Sequence, residues 1–275
     1  MKKTFWGGRR YCSIDYMLKE RYSEKLYKLS LNGGMTCPNR DGKISEGGCI
    51  FCSAGGSGDF AANFNPDIAK QIEQAKTLVS KKYQGNRFIA YFQAYTNTYA
   101  PVEYLRKLFM DTIMRDDIAI LSIATRPDCL GDDVTKLLAE LNRIKPVWVE
   151  LGLQTINEST ARLINRGYEL SCYDEAVRRL RNIGVEIITH MIIGLPYETK
   201  EDILSTAEYI GKTANGIKLQ LMHILKNTKL LEMYEKGEFK ALTEEEYIEI
   251  VCAYGACQRN IVYPGAGNAN SHHIQ

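Results

Sequence analysis

Three closely spaced cysteines are the residues of this chain best suited to carry chemistry. Cys37, Cys49 and Cys52 lie in the stretch CPNRDGKISEGGCIFC, at a spacing of C-x11-C-x2-C. A structural zinc site needs four ligands in a tetrahedral shell, and a four-iron cluster normally takes four thiolates. Three thiolates would leave one iron of such a cluster open to a ligand that does not come from the protein. Open coordination sites are where metal catalysis occurs.

The residues of this loop leave other interpretations open. The chain could be an iron–sulfur electron carrier or a zinc-binding module instead of an enzyme. A zinc site would need a fourth ligand, and the four histidines are distant in sequence: His190, His223, His272 and His273. Phe51, inside the C-x2-C pair, is suited to stack on a planar ligand or to shield a cluster.

The position of the cysteine loop depends on the predicted strands and helices around it. Apolar runs alternate with helical patterns such as 131–143 and 171–184, which predicts a parallel sheet in one domain. The arrangement is either a partial (β/α)6 barrel or an open doubly wound sheet, and in both the functional residues gather at the carboxyl ends of the strands. The cysteine loop directly follows the first predicted strand. The six runs are 26–32, 87–95, 117–126, 146–154, 185–196 and 216–225.

Strand alternation selects polar residues that face the inside of the sheet. In PVWVELGLQ, Glu150 and Gln154 share a face with Trp148, whereas the valines and leucines occupy the other face. A Glu and a Gln on an inner face are poor core residues. They suit contacts with an amine or with ribose hydroxyls.

Four further polar residues are candidates within or at the ends of the strand runs. Arg126 ends the third run and could hold a carboxylate or a phosphate, or could pair with Asp128. His190 lies within the fifth run, either as an interior residue or as a catalytic one. Lys218 and Gln220 share a face of the sixth run and could reach a bound cofactor.

The charge and the apolar runs of the chain limit the classes of partner that it could bind. The 275 residues carry a net charge of +2, but residues 1–45 hold ten Lys/Arg against four Asp/Glu. Such a basic segment could meet RNA or could simply be solvated. No apolar run has the length of a membrane span, and the first residues lack the apolar core of a signal peptide. We therefore expect a cytoplasmic protein that does not contact a membrane.

Six stretches of the chain together resemble a known family. They are YKLSLNGGMTCPNRDG, GGCIFCSAGGSGDFA, YFQAYTNTYAP, SIATRPDCL, VELGLQT and IIGLPYET. In this order they resemble the radical S-adenosylmethionine (SAM) superfamily, and within it a small bacterial family related to the catalytic subunit of Elongator. The resemblance spans about residues 9 to 250.

The resemblance implies a fold, two cofactors and their contacts. The fold would be a partial (β/α)6 barrel in which Cys37, Cys49 and Cys52 hold a [4Fe–4S] cluster and SAM binds the open iron. An electron from a reducing protein such as flavodoxin or ferredoxin would cleave SAM to a 5′-deoxyadenosyl radical, which takes a hydrogen atom from the substrate. Family members bind the methionyl amine with a Gly-Gly-Glu-like motif, where this chain has Gln-Ala-Tyr-Thr-Asn. The implied cofactor contacts are Phe51, Gln93, Tyr95, Thr96, Asn97, Glu150, Gln154 and Gln220, and the catalytic candidates are Arg126 and His190.

The resemblance also implies a substrate, the C5 side chain of the tRNA wobble uridine, converted from carboxymethylaminomethyl to aminomethyl. A small metabolite or a peptide is the alternative substrate. The oligomeric state is left open. Along the chain we expect a basic N-terminal extension (1–25), a core domain (26–252) and an atypical tail (253–275), which suggests a truncation or a change of reading frame near residue 253.

Overall fold

A single parallel sheet organises the chain in the computed structural model, which describes residues 6–56, 58, 61–83, 85–257 and 261–264. Eight strands pair in the order β1-β8-β7-β6-β5-β4-β3-β2, and every pair is parallel. The strands are β1 (Cys12–Ser13), β2 (Tyr27–Leu31), β3 (Phe88–Phe92), β4 (Ile118–Thr125), β5 (Val147–Gln154), β6 (Glu186–Ile193), β7 (Gly216–Leu221) and β8 (Ile261–Pro264).

The strand order decides between the two predicted architectures. From β2 to β7 each strand pairs with its successor in the chain, without the reversal that defines a doubly wound sheet. Helices cover the outer face, so the fold is the partial (β/α)6 barrel. The helices are α1 (Ile14–Tyr22), α2 (Ile68–Val79), α3 (Val102–Ile113), α4 (Asp132–Ile144), α5 (Glu158–Leu163), α6 (Leu170–Asn182), α7 (Lys200–Thr213), α8 (Lys229–Glu235) and α9 (Glu244–Cys257), with a 3-10 turn at Pro127–Cys129.

The predicted runs correspond to strands β2 to β7, one strand in each run. β3 ends at Phe92, earlier than the run 87–95, so Gln93 and Tyr95 lie beyond the strand. Two strands, β1 and β8, were not predicted from the sequence. Strand β1 and helix α1 lie within the first 25 residues, and β8 lies within the segment 253–275. Residues 258–260 and 265–275 of that segment lie outside the described residues.

Alternation along the strands separates an outer core from the barrel interior. In β5, Val147 and Val149 pack against the helices, whereas Trp148 packs inside with Met17 and Leu18 of α1. Burying a large apolar side chain contributes about 1.5–3 kcal/mol. Helix α1 therefore closes the amino-terminal end of the barrel, and the opposite end stays available for a site.

Candidate functional site

The cysteine loop lies at the carboxyl end of β2 and folds back on itself. Arg40 N donates to Cys37 O at 2.8 Å, and Cys52 N donates to Cys49 O at 3.0 Å. The Arg40 guanidinium also donates to Cys52 O at 3.4 Å. These bonds hold the three cysteines in one compact loop at the mouth of the barrel.

The thiols of Cys49 and Cys52 form a coupled pair. The hydrogen bond from the Cys49 thiol, together with the Arg40 charge, lowers the pKa of Cys52 to about 7 despite burial. The same bond, together with burial and the nearby Cys52 and Cys37 charges, raises the pKa of Cys49. Cys37 thus lies close enough for its charge to act on Cys49, and the loop gathers three sulfur donors.

The donor set fits an iron–sulfur cluster. Within the described ranges, no group of three His, Cys, Asp or Glu side chains is placed to hold a single metal ion. In a four-iron cluster each thiolate binds a different iron. Soft thiolate donors on a loop are the ligands that such clusters take.

A fourth thiol, that of Cys129, lies beside this loop. Burial and then Asp128 raise the pKa of Cys129 to about 12, and Cys37 adds to the effect. The Cys129 thiol donates to Asp128 Oδ1 at 3.8 Å. Cys129 lies outside the C-x11-C-x2-C stretch. No pattern in the sequence predicted that Cys129 would lie near Cys37.

A ring of polar side chains crosses the barrel interior below the cysteine loop. Glu150 Oε1 accepts from Lys28 at 2.5 Å and from Ser122 at 2.6 Å. Its Oε2 atom lies 2.8 Å from His190 Nε2 and 3.4 Å from Lys218 Nζ. Lys218 also donates to Tyr91 OH at 2.9 Å. One residue from each of β2 to β7 contributes, and we call these six the interior ring: Lys28, Tyr91, Ser122, Glu150, His190 and Lys218.

Burial and mutual charge set the protonation of the interior ring. Burial opposes ionisation of Glu150, but Lys28 and Lys218 hold its pKa well below the usual range. Burial and Lys218 lower the pKa of His190 to about 4. Burial also lowers the pKa of Lys218 to about 8, against the attraction of Glu150. Near pH 7 the ring therefore holds the ionised Glu150 carboxylate, a neutral His190 imidazole and a largely protonated Lys218, with the Lys28 side chain beside the carboxylate.

The tautomer of His190 follows from this network. An ionised carboxylate only accepts hydrogen bonds, so Nε2 of His190 carries the hydrogen and donates to Glu150. The Nδ1 atom then keeps its lone pair. His190 and Glu150, predicted separately as catalytic and cofactor-binding residues, are thus one unit.

Arg126 was predicted to face an anion or to pair with Asp128, and the structure shows the pair. Its guanidinium donates to both carboxylate oxygens of Asp128, at 2.9 and 2.7 Å, and to Arg166 O at 2.9 Å. The Arg126 side chain is 10% exposed. Its donors are therefore engaged within the protein.

The residues after β3 connect the strand ends to the cysteine loop. Thr96 N donates to Thr36 O at 3.2 Å, and the Tyr95 hydroxyl donates to Ala54 O at 2.7 Å. Asn97 is fully buried, and its Nδ2 atom donates to Ala124 O at 2.9 Å. These three predicted contacts hold the backbone of the site together in this structure.

The other predicted cofactor contacts lie round the mouth. Gln154 accepts from the Tyr168 hydroxyl at 3.4 Å and has a left-handed backbone, with a φ of 66°. Gln93 N donates to Leu31 O, which places Gln93 at the end of β3. Gln220 is half-buried on β7. Phe51 packs against an apolar cluster that includes Ile192 of β6.

Across the described part of the chain, no helix combines the length and apolar character of a membrane span.

Comparison with known proteins identifies the family. The model of the radical SAM superfamily matches residues 37–210, and that of the Radical_SAM C-terminal domain matches residues 214–262. Protein YtqA of Bacillus subtilis is 47% identical over 245 residues, 89% of this chain and 76% of YtqA. A tRNA uridine(34) acetyltransferase of Methanocaldococcus infernus is 28% identical over 139 residues, 48% of this chain and 25% of that protein.

A solved structure shares the fold. Methanocaldococcus infernus Elp3, with an N-terminal deletion, superposes with a TM-score of 0.66 at 19% identity, covering 90% of this chain and 57% of that one. At this identity the likeness concerns the fold alone. Because the superfamily model spans most of the barrel and the Bacillus relative is close over most of both chains, this chain belongs to the radical SAM superfamily of enzymes, which use a [4Fe–4S] cluster and S-adenosylmethionine.

Proposed function

We propose that Cys37, Cys49 and Cys52 hold the [4Fe–4S] cluster and leave one iron open for SAM. The support is the gathering of these three thiols at the mouth of the barrel, with Cys49 and Cys52 already hydrogen-bonded to each other. When bound, the two cofactors supply reductive cleavage of SAM and a 5′-deoxyadenosyl radical that takes hydrogen from the substrate. The electron comes from a reducing protein such as flavodoxin or ferredoxin.

The residues of the chain position the cofactor and exclude water. Gln154 and Gln220 lie half-buried on the strands that surround the interior ring and are proposed to contact SAM. Phe51 is proposed to shield the cluster, since it packs on the apolar cluster at the end of β6. Thr96 and Asn97 keep β3, β4 and the cysteine loop in register through their hydrogen bonds to Thr36 and Ala124.

The proposed substrate is the wobble uridine of tRNA, whose carboxymethylaminomethyl side chain is converted to aminomethyl. The N–CH2 carbon would lose two electrons, which SAM would accept on its cleavage to methionine and 5′-deoxyadenosine, and water would then release the two-carbon unit as glyoxylate. The relative named tRNA uridine(34) acetyltransferase supports a tRNA substrate. An anticodon base is already single-stranded and enters a pocket at modest cost. The basic segment 1–45 is suited to the tRNA backbone.

The observation that carries this choice is the pair of lysines in the barrel interior. Lys28 and Lys218 both lie beside the carboxylate of Glu150. Ammonium groups in a cleft attract an anionic group of a substrate that enters it. The carboxylate of a carboxymethylaminomethyl group has the required charge, and Arg126, the anion site expected from the sequence, is engaged by Asp128.

The cluster proposal is tested with single cysteine variants of the anaerobically reconstituted protein. Cys49→Ser should lose both the cluster iron and the release of 5′-deoxyadenosine from SAM. Cys129→Ser is the matched control, because Cys129 lies beside Cys37 but outside the C-x11-C-x2-C stretch. It should retain both. Loss of the cluster in Cys129→Ser would instead indicate a closed site with four thiolates.

The substrate proposal is tested with tRNA that carries the carboxymethylaminomethyl group. Incubation with the reduced wild-type protein and SAM, followed by nucleoside analysis, should show the aminomethyl product. Binding of this tRNA should weaken steeply with salt. Release of 5′-deoxyadenosine with unchanged tRNA and no salt-dependent binding would support a small metabolite or a peptide as the substrate.

A further inference from the structure

A short segment far away in sequence lies against the cysteine loop. We call residues 164–167, which follow α5, the brace. Ile50 N donates to Ile164 O at 3.2 Å, and Asn165 Nδ2 donates to Gly48 O at 2.8 Å. Both acceptor–donor pairs involve residues next to Cys49. The brace therefore holds the backbone on either side of this cysteine.

Asn39 connects the brace to the sulfur of Cys49. Its Nδ2 atom lies 2.6 Å from Asn165 O, 3.2 Å from Arg166 O and 3.7 Å from Cys49 Sγ. Two of these neighbours are carbonyl oxygens, which only accept hydrogen bonds, so the amide nitrogen must face them. One N–H bond points to Asn165 O, and the second is shared between Arg166 O and the sulfur.

The side-chain oxygen of Asn39 has no hydrogen-bond donor among the described residues. Asn39 itself is fully buried. A buried acceptor without a donor destabilises the fold. The amide is thus oriented by its nitrogen, which reaches two carbonyl oxygens and the sulfur of Cys49 from one buried position.

The brace is itself fixed to the end of β5. Arg166 is 1% exposed and donates to Thr155 O at 2.7 Å and to Leu153 O at 3.3 Å. It also pairs with Glu158 at 2.9 Å. A buried arginine with this many partners keeps its backbone in one place. Asn39 is therefore held against a rigid support.

Because Gly167 has no side chain, there is room beside it for the side chain of Asn39. The φ of Gly167 is +80°, and a Cβ atom there would lie 2.6 Å from Asn39 Oδ1 and 3.0 Å from Ile44 Cγ2. Any side chain at this position would displace Asn39 or the loop. By contrast, a Cβ atom on Gly184, with a φ of +70°, would have nothing within 4 Å.

We propose that Asn39, supported by the brace, is a positioning residue that donates an N–H···S hydrogen bond to Cys49 and thereby sets the reduction potential of the cluster. The inference depends on the proposed role of Cys49 as a cluster ligand. A donor to a ligand sulfur stabilises the reduced cluster, which carries the greater negative charge, and so raises the reduction potential. Without the donor the potential becomes more negative.

The test is a redox titration of the anaerobically reconstituted full chain, followed by the EPR signal of the reduced cluster. Asn39→Leu removes the donor at similar volume, and Gly167→Ala pushes on Asn39. Both should shift the midpoint potential to more negative values. Gly184→Ala strains its backbone similarly but has no contact with the loop, so its potential should equal that of the wild type.

The remaining outcomes are also decisive. An Asn39→Leu protein with full iron content and an unchanged potential would overturn the proposal. If this variant keeps the wild-type circular dichroism and potential but loses iron to a chelator faster, Asn39 has only a structural role and the proposal is overturned. If it does not fold, Gly167→Ala decides by the same criteria. A wild-type chain that binds no cluster would instead overturn the proposed function.

Discussion

The exchange Glu150→Gln tests whether one carboxylate holds the interior ring together. Glu150 accepts from Lys28 and Ser122 on one oxygen and faces His190 and Lys218 with the other. Glutamine has one oxygen and one NH2 group, so in either orientation two ring residues that donate to Glu150 would face an N–H donor. The exchange also removes the counter-charge of two ammonium groups.

The Glu150→Gln exchange should lower the free energy of unfolding by a large part of its total. Removing one partner of a buried ion pair costs about 3–5 kcal/mol in the free energy of unfolding, and a whole domain has only about 5–15 kcal/mol. Glu140→Gln is the matched control, because Glu140 and Arg106 are 43% and 37% exposed. Such a solvent-exposed pair contributes little to the free energy of unfolding.

Urea denaturation of the full chain under anaerobic conditions measures both changes. Adding Lys218→Met to Glu150→Gln should recover about 1–3 kcal/mol, because one uncompensated ammonium group is removed. If Glu150→Gln unfolds at the same urea concentration as Glu140→Gln, or if the double variant is no more stable than the single one, the ring charges do not interact as the geometry indicates.

Three further predictions concern the pH dependence of the free energy of unfolding, measured by urea titration. The pKa of Lys218 is lowered from 10.5 to about 8, so the wild type should gain up to about 3 kcal/mol from pH 8 to 10.5, and Lys218→Met should lack this gain. The pKa of His190 is lowered from 6.5 to about 4. The wild type should therefore lose up to about 3 kcal/mol as the pH falls through this window, and an equal loss in His190→Gln would contradict the assignment. Burial raises the pKa of Glu198 from 4.5 to about 7, so stability should fall by about 2–3 kcal/mol as the pH rises from 4.5 to 7. Glu198→Gln should abolish that fall, and an unchanged slope would refute the cause.

The positions of the strands were predictable because their apolar patterns are local. Each run from 26–32 to 216–225 contains one strand of the barrel, and alternation placed Glu150 on the inner face of β5. The choice between a barrel and a doubly wound sheet was not predictable from periodicity. It depends on which strands pair, and pairing is set by packing between segments that are distant in sequence.

The partners of the inner residues were mostly missed for the same reason. Lys28 shares the inner face of β2 with Ser30, and a lysine within an apolar strand is a signal that could have pointed to an ion pair. Its partner Glu150 lies 122 positions away in the chain. Only the curl of the sheet brings the two strands face to face, and no spacing in the sequence encodes that distance.

Strand β5 links the interior ring to the cysteine loop. It carries Glu150, and its end holds Arg166 of the brace through Thr155 and Leu153. A substitution that moves β5 therefore acts on the ring and on Cys49 together. Loss of activity in Glu150→Gln would point to a direct role of Glu150 only if the variant keeps its iron. Lys218→Met changes the ring charge from β7, two strands away. If Lys218→Met keeps the cluster and still releases 5′-deoxyadenosine but no longer converts the tRNA side chain, the ring binds the substrate carboxylate. Unchanged conversion would remove the charge argument for this substrate.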